Sequence, residues 1–165
     1  MVGIATGLRL RPATAADIDV LVLMINAAYG KSEAHVFGRS DRTDRGNFAR
    51  AIDGIVVAEL DGAIVGSVQV EIGADAAHFG LLAVDIAVQG RGVGTQLIAH
   101  AEQMAREAGL AVMKIETVKE AGLRTFYETH GYRAVRETLG QVWNGGADWG
   151  AVIDWHMVDM EKASL

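Results

Sequence analysis

The sequence predicts a single α/β domain over residues 1–165, with a mixed central sheet of about six to seven strands and helices on both faces. The chain has 165 residues, 50% of them hydrophobic, which is enough for one core and too little for two. Short apolar runs typical of strands alternate with amphipathic stretches of helical period. Residues 78–108 contain the clearest example of each, an apolar run followed by a long amphipathic helix.

Composition excludes several classes of protein. The net charge of -6 argues against nucleic acid as a partner, because such binding needs a basic surface. No apolar run reaches about 18 residues, and the N-terminus reaches Arg9 and Arg11 without the apolar core of a signal peptide. We therefore expect a cytoplasmic protein with no membrane partner. The chain has no cysteine, so disulfides, a cysteine nucleophile and thiolate-bound zinc are excluded, and we expect no metal.

The N-terminal elements are predicted to be a strand and a helix. Residues 8–11 alternate as a first strand, which Pro12 closes. Thr14-Ala15-Ala16-Asp17 resembles a capping box for the helix that follows, and we expect that helix to end near Gly30. Its predicted buried stripe consists of Ile18, Leu21, Val22 and Ile25.

Residues 31–47 lack apolar periodicity and are rich in Gly, Ser, Asp and Arg. We predict a mobile, exposed segment there, whose charges are typical of a solvated loop. A short helix is expected over residues 44–52.

An antiparallel meander is predicted next. Ile55–Leu60 and Ala63–Ile72 have strand character, and Asp61-Gly62 between them favours a two-residue type I′ turn. Residues 73–76 then turn the chain into a central strand over residues 78–84, which we expect to be buried on both faces because it carries almost no charge.

The helix after the central strand begins without a capping residue. Its predicted buried stripe is Val93, Leu97, Ile98, Ala101, Met104, Ala105 and Ala108, whereas His100, Glu102, Gln103, Arg106 and Glu107 are expected to face water, and Gly109 ends it. Gly90, Gly92 and Gly94 precede or begin the helix, and Arg91 adds a positive charge. Uncapped amides at the positive end of a helix dipole predict a phosphate site.

The remaining chain predicts a parallel strand, a short helix and two closing strands. Their bounds are residues 111–118 for the strand, 121–130 for the helix that Gly131 ends, and 132–139 and 153–160 for the closing strands, with a long loop over residues 141–150.

Two segments resemble a known family. Gln89-Gly90-Arg91-Gly92-Val93-Gly94 resembles the acyl-CoA-binding signature Gln/Arg-x-x-Gly-x-Gly/Ala of the GCN5-related N-acetyltransferases (GNAT). Phe126-Tyr127-Glu128-Thr129-His130-Gly131-Tyr132 resembles their C-terminal Phe-Tyr-Glu-x-x-Gly-Phe/Tyr segment. Two positions depart from the family pattern: Ile86 replaces a proline, and Glu120 replaces an asparagine that often contacts the cofactor.

The resemblance implies a fold of the GNAT type and acetyl-CoA as co-substrate. The pantetheine of that co-substrate would pair with main-chain groups of Leu82 and Val84, and a backbone N–H near Val84 would stabilise the oxyanion. The pyrophosphate would bind amides over residues Gln89, Gly90, Arg91, Gly92, Val93, Gly94 and Thr95. Tyr127 matches the general acid that protonates the departing sulfur, and core packing is its structural alternative.

A general base is also needed, because a typical amine is protonated at neutral pH. His78 is the first candidate, since it lies eleven residues before Gln89, where histone-type members of the family carry a catalytic glutamate. A histidine bonded to backbone or solvent is the structural alternative. Glu71 and Glu116, each near a strand end, are weaker candidates for the same role.

The resemblance implies transfer to a primary amine of a small molecule or peptide, and residues 31–47 would border that acceptor. Its pocket could include Tyr29, His35, Glu71, Trp143, Trp149 and His156. A non-catalytic acyl-CoA-binding module is the main alternative, and a homodimer is left open. A dinucleotide site fits less well, because Thr95 occupies the third glycine position, although Glu116 has the spacing of its ribose-binding acid.

Overall fold

The computed structural model describes residues 7–37, 42–140, 151 and 153–165. In these ranges seven strands form one sheet: β1 (Arg9–Pro12), β2 (Ile55–Leu60), β3 (Ala63–Ile72), β4 (Ala77–Val84), β5 (Val112–Val118), β6 (Arg133–Leu139) and β7 (His156–Ala163). The helices are α1 (Ile18–Phe37), α2 (Arg45–Ala51), α3 (Val93–Glu107) and α4 (Arg124–Thr129).

The sheet is mixed, as the sequence predicts. Its strand order is β1-β2-β3-β4-β5-β7-β6, and β4 with β5 is the parallel pair among antiparallel neighbours. Asp61 and Gly62 have φ angles of 52° and 81°, as a type I′ turn requires, so the predicted β2–β3 hairpin is confirmed. The antiparallel meander β2–β3–β4 therefore leads the chain to the end of β4.

Helices cover both faces of the sheet. On one face, α3 buries Val93, Leu97 and Ile98 against a core that includes Phe79, and Tyr127 of α4 joins the same cluster. On the other face, α1 buries Leu21 and Ile25 against strands β2 and β4. The two apolar layers hold the sheet between α3 and α1, so the end of β4 lies between two helices.

The first helix is longer than the sequence predicts. Gly30 lies inside α1, and the helix continues to Phe37 because Val36 and Phe37 are buried against Trp155 and Met157. A helical glycine costs about 1 kcal/mol relative to alanine, which burial of two apolar side chains more than offsets. The prediction of a mobile segment from residue 31 is therefore wrong over residues 31–37. The short helix predicted after it is confirmed as α2, whose N-cap side chain, Asp44, accepts a hydrogen bond from the Asn47 N–H at 2.8 Å.

One prediction of burial is borne out in part and another needs correction. The central strand β4 has buried residues on both faces, Ala77 and Phe79 on the side of α3 and Ala83 on the side of α1, whereas its other residues are only partly buried. Glu102 was expected to face water but is buried: it accepts hydrogen bonds from the Tyr132 hydroxyl at 2.9 Å and from Lys162 Nζ at 3.0 Å. A buried carboxylate needs such partners, and these come from strand β7 and the start of β6.

The C-terminal elements shift by a few residues. Lys119–Ala121 forms a 3-10 turn, so α4 begins only at Arg124, and β7 begins and ends three residues later than predicted. The predicted loop over residues 141–150, with Trp143 and Trp149, lies outside the described residues. Among the residues that the structure describes, none of the helices has the length and apolar character needed to cross a membrane.

Candidate functional site

Strand β4 contains a bulge beside the point where a site could form. Ser67 of β3 pairs with Ala83 and Gln69 pairs with Gly80, so β4 has one residue more than β3 over this stretch. Leu81 lies in the bulge with a φ of 47°, a left-handed conformation that costs a non-glycine residue about 1 kcal/mol. The bulge turns the backbone of β4 before the strand ends.

Strands β4 and β5 separate after a short paired stretch. Their ladder joins Ala77 with Met113 and His78 with Lys114, and it does not continue among the described residues. The opening between the strands leads into a cavity of about 740 Å³. Residues 78–84 form one wall of this cavity, and residues 115–118 of β5 form the other. A wedge of this kind exposes main-chain groups of β4 to a ligand.

The start of α3 leaves backbone donors available. Gly92 is the N-cap residue, with φ 81° and ψ 9°, and its α3 terminus has no capping side-chain hydrogen bond within the described chain. The Gln96 N–H donates to the Gly92 carbonyl, and Gln96 lies three residues past Val93, the first residue of the helix. The backbone amides that precede the amide of Gln96 therefore lie at the positive end of the helix dipole, next to the cavity.

The loop before α3 is tied to two neighbouring elements. The Gln89 side chain donates to the Val84 carbonyl at 3.1 Å and accepts from Lys31 Nζ at 2.8 Å. Asp85 accepts from the Ala87 N–H at 2.8 Å. The loop is thus fixed to the end of β4 and also to α1, which brings a lysine to the cavity entrance.

Most of the residues predicted to bind a cofactor line this cavity. They are Leu82, Val84, Gln89, Gly90, Gly92, Val93, Gly94 and Thr95. Arg91 does not belong to the lining, although it lies between two glycines that do.

Tyr127 also lines the cavity and is buried, with 8% of its surface exposed. Its ring packs 5.3 Å from that of Phe126 and 6.2 Å from that of Phe79. Burial raises the pKa of its hydroxyl far above the ordinary tyrosine value, and the nearby groups of Tyr29 and Glu33 raise it further. The hydroxyl therefore keeps its proton at neutral pH and can act as a donor.

The three candidates for a general base lie in different places. His78 is partly buried and lines the cavity where β4 and β5 begin to separate. Glu116 of β5 is exposed and also lines the cavity. Glu71 pairs with His78 in the β3–β4 ladder, but its side chain is exposed and is not part of the lining.

The C-terminal half of α1 forms a wall of the cavity, as a helix and not as the loop that the sequence predicts from residue 31. Tyr29, Ser32 and Glu33 line the cavity, and the Arg42 guanidinium lies 5.3 Å from the centre of the Tyr29 ring. Burial raises the pKa of Tyr29 to about 12. Burial also raises the pKa of Glu33, although Arg42 and His35 partly offset this effect. The signal that could have revealed this wall is the helical spacing of Ile25, Tyr29 and Val36, which continues past Gly30.

Other residues suggested for an acceptor pocket make contacts away from it. The His35 ring bonds the Glu120 carbonyl at 2.9 Å, and His156 bonds the Glu120 carboxylate through its backbone N–H and Nδ1 at 2.9 and 2.7 Å. Burial alone would raise the pKa of Glu120, but the hydrogen bonds from His156 outweigh it and lower the pKa. Glu120, which replaces the family's asparagine, is therefore engaged with β7.

Solved acetyltransferases share this architecture. The PaiA N-acetyltransferase of Thermoplasma acidophilum, in complex with coenzyme A, is similar with a TM-score of 0.77 at 14% identity, covering 96% of this chain and 99% of that chain. The ribosomal-protein-alanine N-acetyltransferase of Brucella melitensis has a TM-score of 0.72 at 20% identity, and the match covers 94% of this chain and 99% of that chain. Rv2747 of Mycobacterium tuberculosis, in complex with CoA and NLQ, has a TM-score of 0.70 at 18% identity, and the match covers 95% of this chain and 99% of that chain. These identities are low, so the likeness concerns the fold.

The sequence itself carries the family assignment. No protein with curated annotation matches the chain. The family model of the acetyltransferase (GNAT) domain matches residues 51–134, which include the meander, the loop, α3 and α4. The chain therefore belongs to the GNAT acetyltransferase family.

Proposed function

We propose that this protein is an N-acetyltransferase that transfers an acetyl group from acetyl-CoA directly to a primary amine of a small molecule or peptide, within a ternary complex. The observation that carries the proposal is one cavity that contains the open edge of β4, the uncapped start of α3 and the buried hydroxyl of Tyr127. Acetyl-CoA, when bound, supplies the thioester whose acetyl group moves.

The cofactor end of the cavity suits a long ligand with phosphates at one end. Main-chain groups of Leu82 and Val84 would pair with the amides of pantetheine, because the separation of β4 from β5 leaves that strand edge open. The amides over residues 89–95 would bind the pyrophosphate at the positive end of α3. The lysine at position 31, held against Gln89, adds positive charge at the same end.

The chemistry then needs two proton transfers and one oxyanion contact. As the amine nitrogen forms its bond to the acetyl carbon, a backbone N–H near Val84 would stabilise the oxyanion. As the carbon–sulfur bond breaks, Tyr127 would donate its proton to the sulfur. A thiolate with a pKa of about 8.5 leaves fairly easily, so this donor accelerates the step without being essential to it.

We assign His78 and Glu33 to the acceptor amine, as the groups that would take up the proton that its nitrogen loses. His78 lies where β4 and β5 separate, and Glu33 lies on the α1 wall close enough to Tyr127 to raise its pKa. A carboxylate in a partly buried wall favours a cationic amine, and its raised pKa makes it a better proton acceptor than an exposed glutamate. Glu116 stays an alternative base, since it also lines the cavity.

An amine panel tests the proposal. The protein is mixed with acetyl-CoA and, in turn, an aliphatic diamine, an amino acid, a peptide with a free N-terminus and a lysine-containing peptide. Free thiol is followed with a thiol-reactive dye, and acetylated amine by mass spectrometry. At least one amine should release CoA together with an acetylated product. If every amine of a broad panel fails, the catalytic proposal is contradicted.

A non-catalytic acyl-CoA-binding module on the same fold is the alternative. The cavity would serve both functions, but a proton donor positioned at the reacting sulfur has a use only in catalysis. If the protein is such a module, it should bind CoA without amine-dependent turnover. Any slow loss of the thioester should then proceed at the same rate in Tyr127→Phe as in the wild type. The enzyme predicts turnover that this substitution slows.

A further inference from the structure

His130 connects the end of α4 to the first turn of α3. Its Nε2 lies 3.0 Å from the Thr95 hydroxyl, and its Nδ1 lies 2.8 Å from the Phe126 carbonyl oxygen. The imidazole also packs against the Phe126 ring, with centroids 4.6 Å apart. Thr95 is the third residue of α3 and lines the cavity beside the uncapped amides. The histidine therefore contacts the loop side of the cavity through a single hydroxyl.

The carbonyl partner fixes the tautomer of this histidine. The Thr129 hydroxyl lies 3.3 Å from Nδ1 but donates its hydrogen to the same Phe126 carbonyl at 2.6 Å. Since a carbonyl oxygen only accepts, Nδ1 carries the hydrogen of the neutral ring. In the neutral ring Nε2 then has a lone pair, and the Thr95 hydroxyl donates its only hydrogen to it. In that state Thr95 offers lone pairs, not a donor, to a neighbouring anion. A protonated ring reverses the second bond: Nε2 donates to Thr95, whose hydrogen becomes available.

We propose that His130 is a positioning residue for the diphosphate of CoA, acting by controlling whether Thr95 can donate a hydrogen bond to it. This inference rests on the proposed function, because it needs CoA in the cavity. When His130 is protonated, Thr95 donates to a phosphate oxygen and the imidazolium adds positive charge behind it. By linkage, diphosphate binding and protonation of His130 favour one another.

Two pairs of oppositely charged side chains lie on the elements next to His130. Lys162 of β7 lies beside Gly131 and is paired with Glu102 of α3 at 3.0 Å. On α4 itself, Arg124 and Glu128 form an exposed pair at 2.8 Å. The exchange of the Thr95 hydrogen therefore depends on the proton at His130 Nε2 itself.

Calorimetry with 3′-dephospho-CoA tests the proposal. This probe keeps the diphosphate but lacks the 3′-phosphate, whose own titration near about pH 6 would confuse proton counting. Titrations in buffers of different ionisation enthalpy give the number of protons taken up on binding. The wild-type protein should take up a fraction of a proton and bind about fivefold more tightly near pH 6 than near pH 8.

Three variants separate this role from a merely structural one. His130→Gln cannot take up a proton, so it should bind with no proton uptake and little pH dependence. Thr95→Val should weaken binding by about fivefold near pH 6 and hardly at all near pH 8. His100→Gln, on the same helix α3, is the control and should behave like the wild type.

Two results would overturn the inference. Proton uptake that is unchanged in His130→Gln, or Thr95→Val binding that equals the wild type near pH 6, would show that this pair does not position the diphosphate. If the wild-type protein binds no 3′-dephospho-CoA or CoA at all, the proposed function fails and the inference fails with it. The two failures are therefore distinguishable.

Discussion

Replacing Gly90 by alanine tests whether the backbone shape of the loop before α3 holds the cofactor. Gly90 has a φ of 81° and lines the cavity, and no atom within 4 Å would meet an added methyl group. The substitution therefore perturbs the backbone conformation and not the packing. Gly109 is a matched control, because its φ is 78° and its surroundings are equally open.

The two glycines differ in what their conformation supports. Gly109 ends α3, where its N–H donates to the Arg106 carbonyl and that of Leu110 donates to Ala105, both at 2.9 Å. It lies at the far end of a 15-residue helix, about 22 Å from the cavity end. A left-handed alanine costs about 1 kcal/mol, so Gly109→Ala, which the helix end holds in that conformation, should lose about that much stability, or roughly 2–4 °C in Tm.

Only the loop variant should weaken binding. An alanine at position 90 can relax out of the left-handed region in the free protein, so Gly90→Ala should lose less stability than Gly109→Ala. Binding must then restore the strained shape, so about 1 kcal/mol appears as a roughly fivefold higher Kd for CoA. Thermal unfolding and calorimetry on both variants measure the two quantities. Gly90→Ala that is as stable as the wild type and also binds CoA as tightly would refute the idea that the loop backbone forms the site.

Three further predictions concern single side chains. Tyr127→Phe should lower kcat by about tenfold to a hundredfold with little change in the KM for acetyl-CoA, and a smaller loss in steady-state assays would deny its role as proton donor. Burial raises the pKa of Glu33, so kcat/KM for a cationic amine should be lost as pH falls through that raised value. Glu33→Gln should remove this acidic limb and lower kcat/KM about tenfold, whereas Glu107→Gln on exposed α3 surface should change neither. The Arg11 guanidinium, 2.8 Å from Asp17, lowers the pKa of that carboxyl from 3.8 to about 2 despite the opposing effect of burial. This ion pair stabilises the folded protein by about 2 kcal/mol at pH values above the pKa of Asp17 in the unfolded chain, and the stabilisation is lost as pH falls towards 2. Urea titrations should show that Asp17→Asn lacks this acid-dependent loss of stability. If the variant loses stability with falling pH as the wild type does, the prediction is contradicted.

Local patterns predict the elements whose signals are local. The dipeptide Asp61-Gly62 specifies its turn because both residues adopt positive φ. The period of α3 predicts most of its buried face, although Ala108, at the end of the predicted stripe, is exposed. The glycines before α3 indicate uncapped amides because no residue there has a capping side chain. These features need only a few neighbouring residues, so the sequence carries them.

Features that depend on distant partners are not visible in this way. Glu102 is buried because Tyr132 and Lys162 meet it from 30 and 60 residues further along the chain. Gly30 is typical of a helix end, yet α1 continues because Val36 and Phe37 pack in one cluster with Val118, Trp155 and Met157, far along the chain. The bulge at Leu81 depends on the register between β3 and β4, which no short motif encodes. Ser32 and Glu33 belong to the α1 wall of the cavity because of that same helix extension.

Amide NMR spectra of the 17.5 kDa protein, recorded during a titration with CoA, test the central claim most directly. We predict that the largest shifts occur at the backbone amides of residues 89–95 and at the open edge of β4 around Val84. Shifts that avoid these amides, or spectra unchanged at millimolar CoA, would contradict the assignment of this cavity to acetyl-CoA.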